Sequence, residues 1–587
     1  MALILAYQVL YYMPRMKKVD EARRARMAAE QVEKAAVERS TGEGAGTAGV
    51  GVDTLRAPAD TTGAGSVTTA VAGFPIVEPA KIRRITVRTP LYDVALTTAG
   101  AELVSARLAR YRTQGELVEL IAQDDSPGLG GIADVSLLGD DRTLPLSSVA
   151  FDAFAEGSSA PLEDGAVVVI DKGTPGAGLF FRVTGADGAE IERYYTFDPE
   201  SYLIRSGIRF GSGGLPFVRS VRWGLGPGLR PTEVNVPVDL AQLRVSLRLG
   251  DEYHRKKRGD FDERFSGTVH WAALQMKYFT VALMAPTPVG GEARLEGRKT
   301  DGFMTASIDL PAAERQGRVE QSVDLYIGPI DFDALKALGK GLEKNVELGS
   351  KYLRPVSAAV LWSLLKLHTI IPNYGIVIIL ISVFTKVLFY RLTHKSFKSM
   401  RDMQALQPRL QALKEKYKND RQKLSQETMK LYKEAGVNPL GGCLPMVLQM
   451  PVFITLFNVL RNTIELRQAP FFAWMNDLSQ PDVLATLPVS LPLLGNAVSV
   501  LPVLMGAGML IQSRIGGSIA GPESSATQSK ALQHMLPIVF TVLFYKMPSG
   551  LVLYWLVNTV LSIWQQYYIN KGAEKAERER AEYAKTS

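Results

Sequence analysis

The sequence predicts a multi-domain membrane protein: a large all-β sandwich domain, then an α-helical core of five transmembrane spans that carries a helical hairpin. Three observations carry this reading. The chain is 587 residues long, too many for one ordinary core. Its mean hydropathy of +0.04 averages two unlike parts. The first is polar and loop-rich, and the second, from about residue 350 onward, holds recurrent long apolar runs. The formal charge of +8 is uneven, because Arg391–Glu434 hold 12 Lys/Arg against 5 Asp/Glu. A basic stretch between apolar runs reads as a topology signal rather than a nucleic-acid surface. The single cysteine, Cys443, leaves no intrachain disulfide.

Residues 1–13, "MALILAYQVLYYM", are apolar but shorter than the ~20 residues a span needs. They lack a basic leader and a small-residue cleavage site. They read as an uncleaved anchor cut short, or as the end of a span that starts upstream. Residues 14–80 are first charged and helix-prone, then Gly/Ala/Thr-rich, a linker composition.

Residues 81–330 change to short alternating runs broken by Gly, Asp and Pro. "RRITVRT", "GAVVVIDKG", "GLFFRVTG", "EIERYYTFD", "YLIRSGIRF", "LRVSLRLG", "KYFTVALMAP" and "VEQSVDLYIGP" predict the strands of a sandwich. Residues 331–371 turn helical, with Leu335, Leu338, Leu342 and Val346 on one face, and predict amphipathic helices lying at a membrane surface. A first full span at 352–371 is the alternative. The core at 372–570 offers candidate spans at about 373–391, 443–464, 493–513, 531–547 and 549–569.

Topology follows from the Lys/Arg bias. The basic loop after the first core span is expected in the cytoplasm. Loop 465–484, with Arg467 against Glu465, Asp477 and Asp482, suits the outside. Alternation then puts the C-terminus in the cytoplasm and the β-domain outside, which is the periplasm in a bacterium with two membranes. Within the loop, residues 395–436 predict a helical hairpin, with Phe397, Met400, Met403, Leu406, Leu410, Leu413 and Tyr417 at steps of three and four. Gly436 is placed for a C-cap, and Pro439 lies beyond it. The hairpin's charges read most simply as a solvated face.

Enzyme signals are nearly absent. There is no Walker-A match, no H-E-x-x-H and no G-x-S-x-G. Of five histidines only His254 and His270 fall in the β-domain. We therefore expect no catalysis, no cofactor and no metal. The spans instead carry polar residues. Ser382 and Lys386 are one helical turn apart; Thr455, Asn458 and Asn462 share a face, as do Asn496 and Ser499, with Gln512 near the end of that span; Tyr554, Asn558, Ser562 and Gln565 follow at steps of four, four and three. One such set is ordinary interhelical glue. Several together, with a lysine that costs about 2.5–3.5 kcal/mol at a helix centre, point to a shared hydrophilic cavity. The simpler reading of Lys386 is that its stem reaches the cytoplasmic interface, about 7.5 Å away at Arg391.

"SFKSMRDMQALQP" (396–408), "NPLGGCLPMVLQMPVFITLFNVLRNTIELRQAPF" (438–471) and "PSGLVLYWLVNTVLSIWQQ" (548–566) resemble the bacterial branch of the YidC/Oxa/Alb membrane insertase family. "YIGPIDFDALKALGKGLEKNVELGS" resembles that family's join between periplasmic domain and core, and "AYQVLYYMPRMKK" the end of its first span. The resemblance covers essentially the whole chain and implies the type found in Gram-negative inner membranes. It implies a five-span core with a positively charged groove, open to the cytoplasm and to lipid, that receives nascent integral membrane proteins. At the groove's central arginine this chain has Lys386, which keeps the charge but not a bidentate fork. Ser382, Gln512 and Trp555 fall where the family places groove or substrate-contacting residues. With Tyr554, Asn558 and Asn458 from the polar stripes they complete the candidate groove. Arg391 stands where relatives often have proline. The resemblance further implies the Sec translocon, ribosomes and signal recognition components as partners, with membrane lipids and no DNA, and likens the β-domain to sugar-epimerase-like sandwiches. Two rival classes remain at this stage: a small-solute transporter or channel, and an envelope scaffold anchored by its spans.

Overall fold

The computed structural model describes residues 73–121, 131–173, 177–300, 302–437, 444–491, 494–516 and 526–586. The expected N-terminal span, most of the linker, and Cys443 lie outside them.

All eight quoted runs form strands. A five-stranded sheet orders Glu116–Glu119, Leu103–Thr113, Tyr92–Thr97, Arg84–Arg88 and Val167–Val169. Its neighbours are antiparallel except for the last pair. A larger sheet of 14 strands takes the chain from Asp134 to Pro329. Alternation explains the layering. In Arg84–Arg88 only Ile85 and Val87 are buried, because successive side chains point to opposite faces. Those residues join Val94, Leu96 and Leu108 of the small sheet to Trp223, Leu247, Leu274, Leu283 and Leu325 of the large one in a single core. Each such side chain contributes about 1.5–3 kcal/mol by leaving water. The short helix α1 (Val236–Leu240) interrupts the large sheet. Its Asp239 accepts from the backbone N–H of Thr232 at 2.7 Å and of Glu233 at 3.1 Å, which fixes the Glu233 loop.

Residues 331–348 differ from the expected membrane-surface helix. Asp331 caps α2 (Phe332–Ala337), its carboxylate accepting from Ala334 N–H at 2.9 Å. Gly339 and Gly341 then take φ of +66° and +79°, which only glycine adopts without strain, and the helix stops. Leu335, Leu342, Val346 and Leu348 are buried, but against Trp271, Met284 and Tyr326 of the sandwich. α3 (Arg354–His368) follows the expectation better: Ser357, Leu361 and Leu364 face inward while Val356 and Trp362 stay exposed.

The helical half continues with α4 (Tyr374–Leu388), α5 (Tyr390–Ala405), α6 (Gln407–Lys416), α7 (Arg421–Glu434), α8 (Leu444–Asn462), α9 (Leu501–Gly516), α10 (Ala526–Phe544) and α11 (Ser549–Thr586). Asn373 caps α4 through Ile376 N–H. Asp420 caps α7 through Lys423 N–H. Gly436, at φ +65°, ends α7, with Val437 N–H bonded to Tyr432 O at 3.0 Å, the reverse-turn cap expected at that glycine. α4 and α5 bend by 64° at their junction.

Among the described residues no single helix is long and apolar enough to cross a membrane, although the bent pair α4–α5 meets that test together. Length is one reason, since α4 has 15 residues and α9 has 16; composition is the other, since Gln449, Thr455, Asn458 and Asn462 interrupt α8 and Asn558, Thr559, Ser562 and Gln565 interrupt α11. The expected span at 493–513 is also corrected. Gly495–Ser499 is a strand paired with Val483–Leu491, and α9 starts only at Leu501. Pro502 in its first turn suits a helix start, and the Asp482 carboxylate accepts from the N–H groups of Val500 and Leu501.

Candidate functional site

α11 packs along α4 and α9, and it turns one polar face inward. Residues 554, 558, 562 and 565 recur at nearly 3.6-residue spacing, so they share that face. Lys386, in the last turn of α4, reaches it: its Nζ donates to Ser562 Oγ at 2.6 Å. Ser562 donates on to Asn558 O at 2.7 Å. The Asn558 amide donates to Tyr554 O at 2.9 Å and accepts from Gln449 Nε2 of α8 at 3.5 Å. Farther along, Gln565 Nε2 donates to Thr393 Oγ1 of α5 at 3.0 Å. The result is a polar track along α11 that reaches α4, α5 and α8. The Tyr554 hydroxyl is buried in it, with Thr385 and Gln449 beside it.

An ammonium group carries three donors. Lys386 spends one on a neutral hydroxyl, and among the described residues no carboxylate lies within ion-pair distance. Its charge is half-buried and uncompensated, so it attracts whatever acidic or carbonyl group enters the track.

Of the expected groove residues, the structure brings together Lys386, Tyr554 and Asn558. It places the others apart. The Ser382 hydroxyl is fully buried and donates back to Ile378 O at 2.8 Å, within its own helix. Trp555 sits 100° around α11 from Tyr554. Its ring packs against Phe453, Phe544 and Phe540 at centroid distances of 4.8, 5.2 and 5.6 Å. Gln512 is half-buried on α9. Asn458 points to the joint with the sandwich, where a Cβ on Gly349 would come within 2.6 Å of its Nδ2. Gln449 and Asn458 are nine residues apart, half a turn in phase, so α8 serves the track with one face and the joint with the other. Sequence reading missed Gln449, Thr385 and Thr393. Ser562 and Gln565 were on the stripe it found.

The joint is itself a polar site. The loop after α8 carries Arg467, which pairs with Glu233 of the sandwich at 2.8 Å and also donates to Arg112 O at 2.9 Å and Thr113 Oγ1 at 2.6 Å. Gln480 reaches the same Glu233 carboxylate at 3.2 Å. Ile464 belongs to the sandwich core. Lys277 is half-buried among these groups, and its desolvation lowers its pKa to about 8 against the pull of Glu233. Burial raises the Glu465 carboxyl to about 7, and Asp331 and Asp333 add to the rise.

A sheet-rich domain clamped to a helical half with a cation-bearing polar track can be compared with known proteins. The family described as 60Kd inner membrane protein matches residues 366–577, and the one described as YidC periplasmic domain matches residues 84–214 and 243–356. The membrane protein insertase YidC of Pelobacter propionicus is 35% identical over 513 residues, 86% of this chain and 90% of that relative. That of Geobacter sulfurreducens is 35% identical over 508 residues, covering 83% and 86%. A crystal structure of an active YidC insertase with its first transmembrane domain resolved aligns over 85% of this chain and 95% of its own, at 20% identity and a TM-score of 0.36. The sandwich and the track thus lie in an inner membrane protein with a periplasmic β-domain. The chain belongs to the YidC family of membrane protein insertases. The solute-transporter reading falls with that assignment.

Proposed function

We propose that this chain inserts integral membrane proteins into the inner membrane by offering the Lys386 track as a polar path partway through the bilayer. The single observation that carries this is the Lys386–Ser562 contact, a cation held between helices with no carboxylate partner among the described residues. A nascent single-span protein must move a polar tail across about 30 Å of hydrocarbon. Its apolar segment gains about 0.3–0.6 kcal/mol per favourable residue, whereas each charge in transit costs about 3 kcal/mol. A path that keeps the tail hydrated over part of that distance lowers the barrier, and partitioning drives the rest without nucleotide hydrolysis. Lys386 holds acidic or carbonyl groups of the tail in transit. The membrane potential adds about 2.3 kcal/mol per charge per 100 mV for negative charges moving outward.

In this reading α4, α8, α9, α10 and α11 are the five core spans, the helices α5–α7 and the C-terminus are cytoplasmic, and α3 lies at the outer membrane surface. Packing the polar residues of α11 against α4, α5 and α8 spares them contact with lipid, which a lone span could not do. Catalysis, metal and cofactor play no part. The Sec translocon, ribosome and signal recognition components are the partners that the family resemblance implies, with the basic hairpin the natural contact for the last two.

The test replaces Lys386 by Ala, Glu and Arg and measures insertion of a small single-span substrate in reconstituted vesicles. Arg retains activity, Ala loses most of it, and Glu loses at least as much. Full activity of Lys386→Glu would sink the proposal.

A further inference from the structure

The hairpin formed by Val483–Leu491 and Gly495–Ser499 has a firm base and an uncovered body. At the base, the Asp482 carboxylate accepts from Val500 N–H at 2.8 Å and Leu501 N–H at 2.7 Å. The Tyr545 hydroxyl, at the end of α10, accepts from Ser499 N–H at 3.1 Å and donates to Ala497 O at 2.8 Å. The hairpin therefore leaves the helical half at a fixed place. Beyond the base, residues 483–489 are exposed on both faces of the strand, including Val483, Leu484, Leu487 and Val489, the last at 67%. Residues 483–500 contain no Asp, Glu, Lys, Arg or His. A soluble hairpin normally alternates apolar with charged positions and blunts its edges with charge. This one does neither, although Pro488 removes one edge donor.

Two further observations say what covers it. The hairpin springs from the loop whose Arg467 and Gln480 grip the sandwich, so it stands at the periplasmic end of the helices. Its apolar surface also continues into α9, where Val503 and Leu504 are exposed in the first turn. We infer that the paired strands Val483–Leu491 and Gly495–Ser499 dock into the outer leaflet of the bilayer at the boundary between headgroups and acyl chains. Side chains on both faces would contact lipid. The unpaired N–H and C=O groups along its edges keep it from the dry interior and hold it at the hydrated boundary. With no charge of its own, the hairpin should seat as deeply in zwitterionic as in anionic lipid. This rests on the outer placement of that end and not on the Lys386 track, so a failed groove variant leaves it standing.

The experiment uses the full chain, Cys443→Ser, with a single cysteine at Leu487 or Val489 carrying an environment-sensitive fluorophore, reconstituted in phosphatidylcholine vesicles with and without phosphatidylglycerol. Ser158, exposed on the sandwich, is the aqueous control. The expected result is that shallow spin-labelled lipids quench positions 487 and 489 at least about threefold more than deep ones, and that an aqueous quencher reaches them at least about threefold less than position 158, in both lipids. Aqueous quenching equal to that of position 158 overturns the inference. Protection that appears only with a translocating substrate also overturns it and assigns the hairpin to the nascent chain. A second variant guards the reading: Leu487→Asp with Val489→Asp, probed at Leu484, should lose most of the shallow-lipid quenching, and unchanged quenching there counts against lipid contact.

Discussion

Arg467 of the helical half and Glu233 of the sandwich form an ion pair at 2.8 Å whose two side chains are only 3% and 9% exposed. Removing one partner strands a buried charge, which costs about 3–5 kcal/mol, whereas replacing both with apolar groups is often near neutral. Arg467→Ala should therefore lower the thermal midpoint of the detergent-solubilised protein by several degrees and expose the loop after α8 to protease. Arg467→Met with Glu233→Leu should recover most of the loss. Equal damage from the single and double variants would mean that the pair is not what holds the joint.

The same joint should be pH-sensitive. Glu465 titrates near 7 in the folded protein, above its ordinary value of 4.5, because burial disfavours the carboxylate and Asp331 and Asp333 face it. The folded state therefore prefers the protonated form. That contribution is complete below about pH 4.5 and is lost as pH rises through about 7. Lys277 changes charge between its lowered value of about 8 and the ordinary 10.5, so it is silent over that window. Glu465→Gln should raise the midpoint at pH 8 by a few degrees relative to the parent, and the two should converge at about pH 4. A difference independent of pH would show that the carboxyl is not the titrating group.

Ser562 offers a finer probe of the track than Lys386 does. Ser562→Ala removes the 2.6 Å contact but leaves the cation. A hydrogen bond to a charged group is worth about 1.5–3 kcal/mol, part of which water would restore if the track is hydrated as proposed. Insertion should fall by roughly two- to tenfold, less than for Lys386→Ala, and Lys386→Ala should mask the Ser562 effect in the double variant. Additive losses would separate the two residues functionally.

α4 is positioned by close approach at its start. A Cβ on Gly375 would overlap the Phe471 ring, and Asn373 Nδ2 donates to Phe471 O at 3.1 Å. Gly375→Ala should cost about 1–3 kcal/mol by overpacking. It should also shift the helix that carries Lys386, lowering insertion as well as stability. Phe471→Leu should relieve part of both in the double variant, and a loss that Phe471→Leu leaves untouched would place the strain elsewhere.

Local pattern made much of this legible in the sequence. Period-two alternation located Ile85 and Val87, and a glycine at the right offset located the α7 terminus. The stripe on α11 located the track's face, because helical phase needs no knowledge of partners. What that pattern cannot carry is pairing across distance. Glu233 is 234 residues from Arg467, and nothing near either residue announces the other. Asn458 read as one more polar position on a span, yet its phase sends it to the joint while Gln449 faces the track. The run 493–513 failed for a different reason: short apolar stretches suit strand and helix alike, and pairing with Val483–Leu491 decided for the strand at Gly495–Ser499.

α11 continues unbroken for 38 residues, about 57 Å of helix. In the proposed topology a bilayer's hydrocarbon would account for roughly 30 Å of that. The remainder is a stiff lever rather than a loose tail, with Tyr554 and Asn558 near one end of the rod and the mixed-charge segment at the other. Tilt imposed on the far end would therefore travel along the same rod to the Ser562 contact with Lys386.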